Sequence, residues 1–295
     1  MPFNMQLPAP PPKKRFKPKV IKECDFDSGS ASWSWLAGTS VENPPEQIRN
    51  DFDWTCKSWA CFDIETHDLA PGRTKSGWEI GDFGHQRLKT DYKKVRDLRA
   101  VQIGLTVGSI DSGEPPKTMT YLVKPNGFTV TDAVSKIHKI THTQAMEMGL
   151  DLRFVLSEFL RELFLIVDKG GRICAHQIEF DAAIISAELA RAGFEHEICE
   201  RWGDLVTCGL CTMNPLMTGW CCKRFCEGIN SYGNGTLNRL TPCALPAVAW
   251  TLLAPHDDLL QAYHNAGTDS RLCWWIVREY HLRIWQTNKT RVNKA

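Results

Sequence analysis

Acidic residues at three places in the chain have the side-chain types of a metal site built from oxygen ligands. Asp63 and Glu65 follow the apolar residues 59–62 (WACF), a pattern typical of a buried strand. Because side chains alternate between the two faces of a strand, both carboxylates project from the same face. Two like charges at that spacing repel each other unless a cation lies between them.

Two predicted helices carry further carboxylates. Asp269 opens a helical stripe of core-type residues at positions 273, 276 and 280, and Asp181 aligns in the same way with Ile184, Ile185 and Glu188. A carboxylate in such a stripe costs free energy unless something binds it. Oxygen ligands without a cysteine or histidine cage suit Mg²⁺ or Mn²⁺ better than zinc. His264 lies five residues before Asp269, and a neutral imidazole beside carboxylates can accept a proton from water.

The order of these residues resembles that of the DEDDh (DnaQ-like) 3′→5′ exonucleases. The family's first motif, an apolar strand ending in Asp-x-Glu, matches residues 61–66 (CFDIET). Its second, His-Asn-x-x-Phe-Asp, matches residues 176–181 (HQIEFD), with Gln177 in place of the asparagine, and its third, His-x-x-x-x-Asp, matches residues 264–269 (HNAGTD). Residues 137–141 (IHKIT) echo a His-Gly-Ile-Thr-like turn before a helix. Together the matches extend over residues 55–288.

The resemblance implies a ribonuclease H-like α/β fold, in which a mixed central sheet of antiparallel meander and parallel strands is flanked by helices. It implies two Mg²⁺ or Mn²⁺ ions held by Asp63, Glu65, Asp181 and Asp269, with His264 as general base. The implied reaction is phosphodiester hydrolysis in DNA or RNA, at single strands or 3′ ends, with release of 5′-nucleotides. The alternative is a nucleic-acid-binding module with weak or no cleavage, or a zinc-stapled interaction module on the same fold.

Hydrophobic periodicity predicts the elements that must position these residues. Strands are expected at residues 58–65, 100–107, 118–123 and 172–175, and helices at residues 152–164, 180–192, 247–254 and 267–285. The resemblance places a strand end at residues 202–207 (WGDLVT). Three meander strands followed by alternating helices and strands form the element order of the implied fold.

Composition divides the chain into a tail, one domain and a short basic end. Residues 1–50 are predicted to be a disordered Pro-rich basic tail and linker, residues 51–288 the exonuclease domain, and residues 289–295 a basic tail. Within the domain, residues 66–99 are an insertion and residues 208–243 a Cys-rich loop. The basic residues 13–19 (KKRFKPK) are either a nuclear address or a solubilising tail.

The charge and hydropathy of the chain limit the classes of partner that it is expected to bind. Its formal net charge is +1, so nucleic acid would have to be bound by local basic patches. No apolar run is long enough for a transmembrane helix, and the first residues lack the pattern of a secretory signal. These features predict an intracellular protein of the cytoplasm or nucleus with no membrane partner.

Two further regions carry candidate binding residues. In the insertion, basic side chains and an aromatic ring could bind the phosphates and stack on the bases of a single strand. The alternative is a solvent-exposed loop that binds nothing. The candidate residues are Trp78, Arg87, Lys89, Lys93 and Lys94. In the Cys-rich loop, the spacing of the cysteines resembles that of a structural zinc site. The alternative is that they are ordinary buried cysteines without a metal. The candidate ligands are Cys208, Cys211, Cys221, Cys222 and Cys226.

Overall fold

The Asp-x-Glu pair lies on the central strand of the sheet. The computed structural model describes residues 55–69, 95–213 and 263–292, together with the short segments 78–80, 86–88, 245, 248–249 and 253. Strand β1 (Ser58–Thr66) begins with four buried residues at positions 59–62, which form a hydrogen-bonded strand because neighbouring strands cover both of its edges. The apolar run therefore lies in the core, as its composition predicts.

Five strands form the main sheet. Its order is β5 (Lys117–Leu122), β4 (Ala100–Ser109), β1, β6 (Arg172–Ala175) and β7 (Leu210–Cys211). The pairs β1–β4 and β4–β5 are antiparallel, whereas β1–β6 and β6–β7 are parallel. This mixture of an antiparallel meander with parallel strands confirms the predicted fold class. The insertion contributes a separate two-stranded antiparallel sheet of β2 (Trp78–Ile80) and β3 (Gln86–Leu88).

Helices cover both faces of the main sheet. Those with described bounds are α1 (Asp132–His138), α2 (His142–Met148), α3 (Leu152–Val167), α4 (Ile178–Arg191), α5 (His196–Thr207) and α6 (Ala266–Val292). On one face, the ring centroid of Phe62 lies 5.9 Å from that of Phe159 on α3 and 5.5 Å from that of Trp202 on α5. On the other face, α6 lies across β1 and β4. The carboxylate side of β1 is therefore the side that faces α6.

Local capping explains where two of the helices begin. Thr141 forms a capping box with Gln144 at the start of α2, so the helix expected after the IHKIT turn is confirmed. The side chain of Asp151 accepts a hydrogen bond of 3.0 Å from the main-chain nitrogen of Phe154 at the start of α3. Both caps satisfy main-chain donors that have no partner within their own helix.

The structure corrects the sequence-based elements in one place and extends them in another. Residues 202–207, expected to end a strand, belong to helix α5 instead. Ile198, Trp202, Leu205 and Val206 are spaced three to four residues apart and pack on the core, which is the periodicity of a helix. Helix α6 continues to Val292, past the predicted end of the domain at residue 288.

The remaining elements agree or lie mostly outside the described residues. The predicted strands and the helices of residues 152–164, 180–192 and 267–285 are confirmed, with shifted ends. Of the helix expected at 247–254, only positions 248, 249 and 253 are described, and they are helical. In the part of the chain that is described, no helix combines the length and the hydropathy needed to cross a membrane.

Candidate active site

Two carboxylates of the site come from β1. Asp63 and Glu65 are partly buried, whereas Phe62 and Ile64, on the opposite face, are 0 % and 5 % exposed. Asp63 lies in register with Gly104 of β4, and Glu65 with Gln102. The alternation predicted from the sequence therefore holds. Both carboxylates lie toward the end of β1 that is covered by the start of α6.

The third carboxylate is delivered by the first turn of α4. Asp181 is 3 % exposed, and its Oδ1 accepts a hydrogen bond of 3.1 Å from the main-chain nitrogen of Ile64. The predicted stripe is confirmed, since Ile184, Ile185 and Glu188 are all 0 % exposed. Asp181 thus reaches the main chain of β1 between Asp63 and Glu65.

The fourth carboxylate and the histidine lie at the start of α6. Asn265 caps this helix, because its Oδ1 accepts a hydrogen bond of 3.2 Å from the nitrogen of Thr268. Asp269 is 6 % exposed, and its Oδ2 accepts a hydrogen bond of 2.9 Å from the main-chain nitrogen of His264. One residue of the pair therefore fixes the main chain of the other.

A glycine allows α6 to approach the sheet this closely. A Cβ atom placed on Gly104 would lie 1.9 Å from the carbonyl oxygen of Ala266. The nitrogen of Ala266 donates a hydrogen bond of 2.8 Å to Oε1 of Gln102 on the same strand. The first turn of α6 is therefore seated directly against β4, beside the position of Asp63.

These elements bring the predicted residues together. One carboxylate oxygen of Glu65, one of Asp269 and a ring nitrogen of His264 all lie within 4.8 Å of one another. The charges of Asp181, Asp269 and Glu65 act on Asp63. The five residues that the sequence singles out thus surround one region at the end of β1.

The charge of this cluster is not balanced by protein cations. Among the described residues, no lysine or arginine forms an ion pair with Asp63, Glu65, Asp181 or Asp269. Glu188 offers the contrast, since Arg99 and Arg191 lie 2.9 Å and 3.4 Å from its Oε1. In the described structure Oδ1 of Asp269 is also buried without a hydrogen-bond partner. An uncompensated cluster with an orphaned carboxylate oxygen fits divalent cations.

The pKa values of the four carboxyl groups are raised, as expected for buried acidic groups without neighbouring protein cations. Burial, followed by the charge of Asp269, raises the pKa of Glu65 to about 8. Burial raises the pKa of Asp269 to about 7, although the hydrogen bond from His264 opposes this. Burial and then the charges of Asp181, Asp269 and Glu65 raise the pKa of Asp63. Burial also raises the pKa of Asp181. Without a cation, these groups hold protons at pH values where exposed carboxyls have lost them.

His264 has the properties of a proton acceptor. Its side chain is exposed, and its ring centroid lies 4.4 Å from that of Tyr263. Partial removal of the ring from water, followed by the positive charge of Lys139, lowers its pKa from 6.5. A lowered pKa favours the neutral form of the imidazole, and a neutral ring nitrogen can accept a proton.

The IHKIT turn supports the end of β1. His138 is 5 % exposed, and its Nδ1 accepts a hydrogen bond of 3.1 Å from the nitrogen of Ile140. The other nitrogen, Nε2, must then carry the hydrogen and donate to the carbonyl oxygen of Thr66 at 3.2 Å. His138 thus ties this turn to the residue that follows Glu65.

Strained backbone is concentrated around the site. Within the described segments, the non-glycine residues with a positive φ angle are Lys139, Gln177 and His264, at 65°, 73° and 63°. Gln177 immediately precedes α4, which carries Asp181, and the charge of Lys139 acts on His264. An L-residue in this conformation costs roughly 1–2 kcal/mol, and such residues cluster at functional sites. Asparagine tolerates this conformation better than glutamine, so the backbone of Gln177 must be held there by its tertiary contacts.

The other predicted binding residues are only partly described. Trp78 and Arg87 lie on β2 and β3 of the insertion, whereas Lys89, Lys93 and Lys94 are outside the described residues. Cys208 is exposed just after α5, and Cys211 lies on β7, so the pair is not on a helix. The remaining cysteines of that loop, Cys221, Cys222 and Cys226, are outside the described residues. The nucleic-acid and loop-zinc assignments remain predictions.

Sequence reasoning missed a different cysteine cluster. Cys61, Cys174 and Cys273 come together in the core on the α6 side of the sheet. The signal available was the alternation that places Cys61 on the face of Asp63 and the helical spacing that places Cys273 below Asp269. Cys174 lies beside Cys61 only because of the register between β6 and β1, and no pattern in the sequence predicts that register.

Comparisons with known proteins identify the fold. No protein-family model and no curated protein matches the sequence. The Mg²⁺- and Mn²⁺-bound form of S. pombe Pop2p is 16% identical, with a TM-score of 0.50 over 77% of this chain and 84% of that chain. Exonuclease I from Methylocaldum szegediense is 18% identical, with a TM-score of 0.50 over 77% of this chain and 41% of that one.

A third solved structure extends this comparison. E. coli exonuclease I in complex with a dT13 oligonucleotide is 13% identical, with a TM-score of 0.50 over 81% of this chain and 43% of that one. This chain therefore spans less than half of the length of these exonuclease I chains. Likeness at such low identity shows the fold alone, and it agrees with the predicted fold class of a mixed central sheet flanked by helices.

Proposed function

We propose that this chain is a metal-dependent 3′→5′ exonuclease of the DEDDh type, which hydrolyses phosphodiester bonds at the 3′ ends of DNA or RNA and releases 5′-nucleotides. The observation that carries the proposal is the convergence of Asp63, Glu65, Asp181 and Asp269 with His264, without balancing protein cations. The residues come from three separate parts of the chain, and their side chains share one region only because the fold brings them together.

The carboxylates are the groups that would hold divalent ions. Asp63, Glu65, Asp181 and Asp269 offer hard oxygen ligands, and the orphaned Oδ1 of Asp269 has the strongest need for one. When bound, Mg²⁺ or Mn²⁺ supplies Lewis-acid activation of water and charge stabilisation at the leaving 3′ oxygen. Ile64 keeps Asp181 in place through its main-chain nitrogen, so the ligand set does not rely on flexible side chains alone.

His264 would accept the proton of the attacking water. Its lowered pKa favours the neutral ring, and its ring nitrogen lies within 4.8 Å of carboxylate oxygens of Glu65 and Asp269. The hydrogen bond from the main-chain nitrogen of His264 to Asp269 holds the backbone of the proposed base against a proposed ligand. A positioned group of this kind contributes about a hundredfold or more to a hydrolytic rate.

The solved structures support the choice of cofactor and substrate. Pop2p is described with Mg²⁺ and Mn²⁺ bound, and E. coli exonuclease I with a dT13 oligonucleotide. Both observations belong to those proteins. They agree with an acidic cluster that suits hard cations and with a substrate class of single-stranded nucleic acid.

The proposal is tested by following degradation of 5′-labelled single-stranded DNA, single-stranded RNA and duplexes, with Mg²⁺, with Mn²⁺ and with excess EDTA. The same strands with a blocked 3′ end establish direction. Asp63→Ala and Asp269→Asn should be inactive. Glu179→Gln is the matched control, because Glu179 is an exposed carboxylate on the same helix as Asp181, and it should retain activity.

The outcomes separate an enzyme from a binding module. Shortening from the 3′ end that requires a divalent ion, with 5′-nucleotides as products, supports the proposal. Binding of strands without cleavage under any metal condition would establish the non-cleaving module instead. Full activity of Asp63→Ala, or activity that persists in EDTA, would show that the carboxylate cluster does not take part in the reaction.

A further inference from the structure

Three cysteines from three separate elements meet in the core next to the carboxylate cluster. Cys61 lies on β1, Cys174 on β6 and Cys273 on α6, and their sulfur atoms all lie within 4.8 Å of one another. The sulfur atoms of Cys174 and Cys273 are 3.6 Å apart. The three residues, here called the thiol triad, are 0 %, 0 % and 1 % exposed.

The topology of the fold produces this meeting. Cys61 and Cys174 are direct neighbours in the parallel register of β1 and β6. Cys61 precedes Asp63 by two residues and shares its face of the strand, and Cys273 lies one helical turn after Asp269. Cys61 and Cys273 therefore lie one step further along β1 and α6 than Asp63 and Asp269, and with Cys174 of β6 they form a second layer of potential ligands.

The sulfur spacing matches a shared metal ion. A zinc–sulfur bond of about 2.3 Å in a tetrahedral site places two sulfur ligands ~3.8 Å apart, close to the 3.6 Å between Cys174 and Cys273. Thiolate ligands select soft or borderline ions such as zinc over Mg²⁺ and Mn²⁺. The two layers of ligands thus suit different classes of metal ion.

An oxygen donor lies beside the thiol triad. The hydroxyl oxygen of Thr212 is 3.7 Å from the sulfur of Cys273, and oxygen and sulfur ligands of one tetrahedral zinc lie ~3.6 Å apart. Nδ1 of His176 lies 2.8 Å from the same hydroxyl. A hydrogen bond from the hydroxyl to this nitrogen would orient the oxygen lone pairs, as outer groups do around many metal sites.

We infer that Cys61, Cys174 and Cys273, together with the hydroxyl of Thr212, form a binding site for one zinc ion. The ion joins β1, β6 and α6 and thereby holds Asp63 and Asp269 at a fixed separation. Binding displaces thiol protons to solvent, and it accompanies folding, because the sulfur atoms are closed to solvent in the folded chain. The inference does not depend on the proposed nuclease activity, since bound zinc is measured directly.

The test measures zinc in the full-length chain after expression with zinc and dialysis against Mg²⁺ buffer. Cys61→Ala, Cys174→Ala and Cys273→Ala are compared with Cys56→Ala, a matched control at a buried cysteine whose thiol contacts the carbonyl oxygens of Ser58 and Gly170. All are made in a background in which Cys208, Cys211, Cys221, Cys222 and Cys226 are changed to Ala, which removes every cysteine of the loop-zinc assignment. We expect stoichiometric zinc in the background protein and in Cys56→Ala, and its loss from each triad variant.

A second measurement does not depend on whether the triad variants fold. The background protein is loaded with cadmium, and the cadmium NMR shift, which reports the number of sulfur ligands, should show three thiolates. Asp63→Asn should leave this signal unchanged, because its carboxylate belongs to the other layer. Equal zinc content in the triad variants, a cadmium signal without sulfur ligands, or a Cys174–Cys273 disulfide in mass spectra would overturn the inference.

Discussion

Asp181 is joined to β1 by a hydrogen bond of 3.1 Å from the main-chain nitrogen of Ile64 to its Oδ1 atom. Ile64 lies between Asp63 and Glu65, so the strand that presents two carboxylates also holds the third. The main-chain nitrogen stabilises the charged form of Asp181 and partly offsets the effect of its burial. The hydrogen bond that positions α4 against the sheet therefore also sets the arrangement of the carboxylates in the candidate site.

The first prediction concerns charge at Asp63. Asp63→Asn should abolish cleavage. It should also raise the thermal midpoint of the metal-free protein at neutral pH, because it removes a carboxyl group whose pKa is raised by burial and by its acidic neighbours and which must therefore take up a proton when the chain folds. Adding Mn²⁺ should raise the midpoint of the wild type more than that of the variant. Thermal unfolding followed by circular dichroism, with EDTA or Mn²⁺, measures both effects. A lower midpoint for the metal-free variant would contradict this account of Asp63.

The second prediction concerns the base. His264→Ala should lower the rate by about a hundredfold or more, while manganese titration still shows binding, since four carboxylates remain. In the wild type the rate should rise with pH as the ring loses its proton, with a midpoint below 6.5, because the pKa of His264 is lowered by partial burial and by Lys139. The variant should lack this limb of the pH profile. Complete loss of manganese binding would make His264 a metal ligand instead.

The third prediction concerns pH and stability. In the metal-free folded protein, burial raises the pKa of Glu65 to about 8 and that of Asp269 to about 7, from ordinary values of 4.5 and 3.8. The folded state therefore binds more protons than the unfolded state between those values, and its stability should fall as pH rises through this window. Mn²⁺ should reverse the fall, and Asp269→Asn should reduce it. Urea unfolding at several pH values in EDTA provides the measurement.

The fourth prediction concerns the close packing of α6 against Gly104 of β4. Gly104→Ala should lower the free energy of unfolding by about 1–3 kcal/mol and reduce cleavage strongly, because the new methyl group would meet the carbonyl oxygen of Ala266. Gly203→Ala is the control, since a Cβ there has nothing within 4 Å and the residue lies in α5. That change should stabilise by roughly 0.5–1 kcal/mol. Equal behaviour of the two variants in urea unfolding would exclude the proposed steric contact.

The fifth prediction concerns the insertion. Changing Arg87, Lys89, Lys93 and Lys94 together to Ala should weaken single-strand binding and reduce its salt dependence, because fewer counterions would be released. Turnover at saturating substrate should change little, since these residues are assigned to binding. Filter binding across salt concentrations, in an Asp63→Ala background without metal, measures the slope. An unchanged slope would place the path of the strand elsewhere.

The site was largely predictable because its signals are local. Strand alternation places Asp63 and Glu65 on one face, and helical spacing orients Asp181 and Asp269 toward the core. Helix α5 shows the opposite case, because the family resemblance suggested a strand end there, although Ile198, Trp202 and Leu205 have helical spacing. Here local periodicity was the better guide.

The thiol triad could not be predicted, because it depends on long-range register. Cys61 and Cys174 become neighbours only through the pairing of β1 with β6, and pairing between distant parallel strands has no signature in either strand alone. The left-handed backbone at Gln177 was similarly hidden, although the departure from the family's asparagine marked the position. Such features arise from tertiary contacts and not from local propensity.

The wide separation of the ligands along the chain has a consequence for biosynthesis. Asp63 emerges from the ribosome early, whereas Asp269 belongs to α6, the helix that ends at Val292. Domains form as units once their elements are available, and pairings between distant segments form slowly. A nascent chain that lacks residues 264–292 has neither the last carboxylate nor the histidine, so its candidate site would be incomplete. The proposed activity could then begin only after translation of the segment that forms α6 is complete.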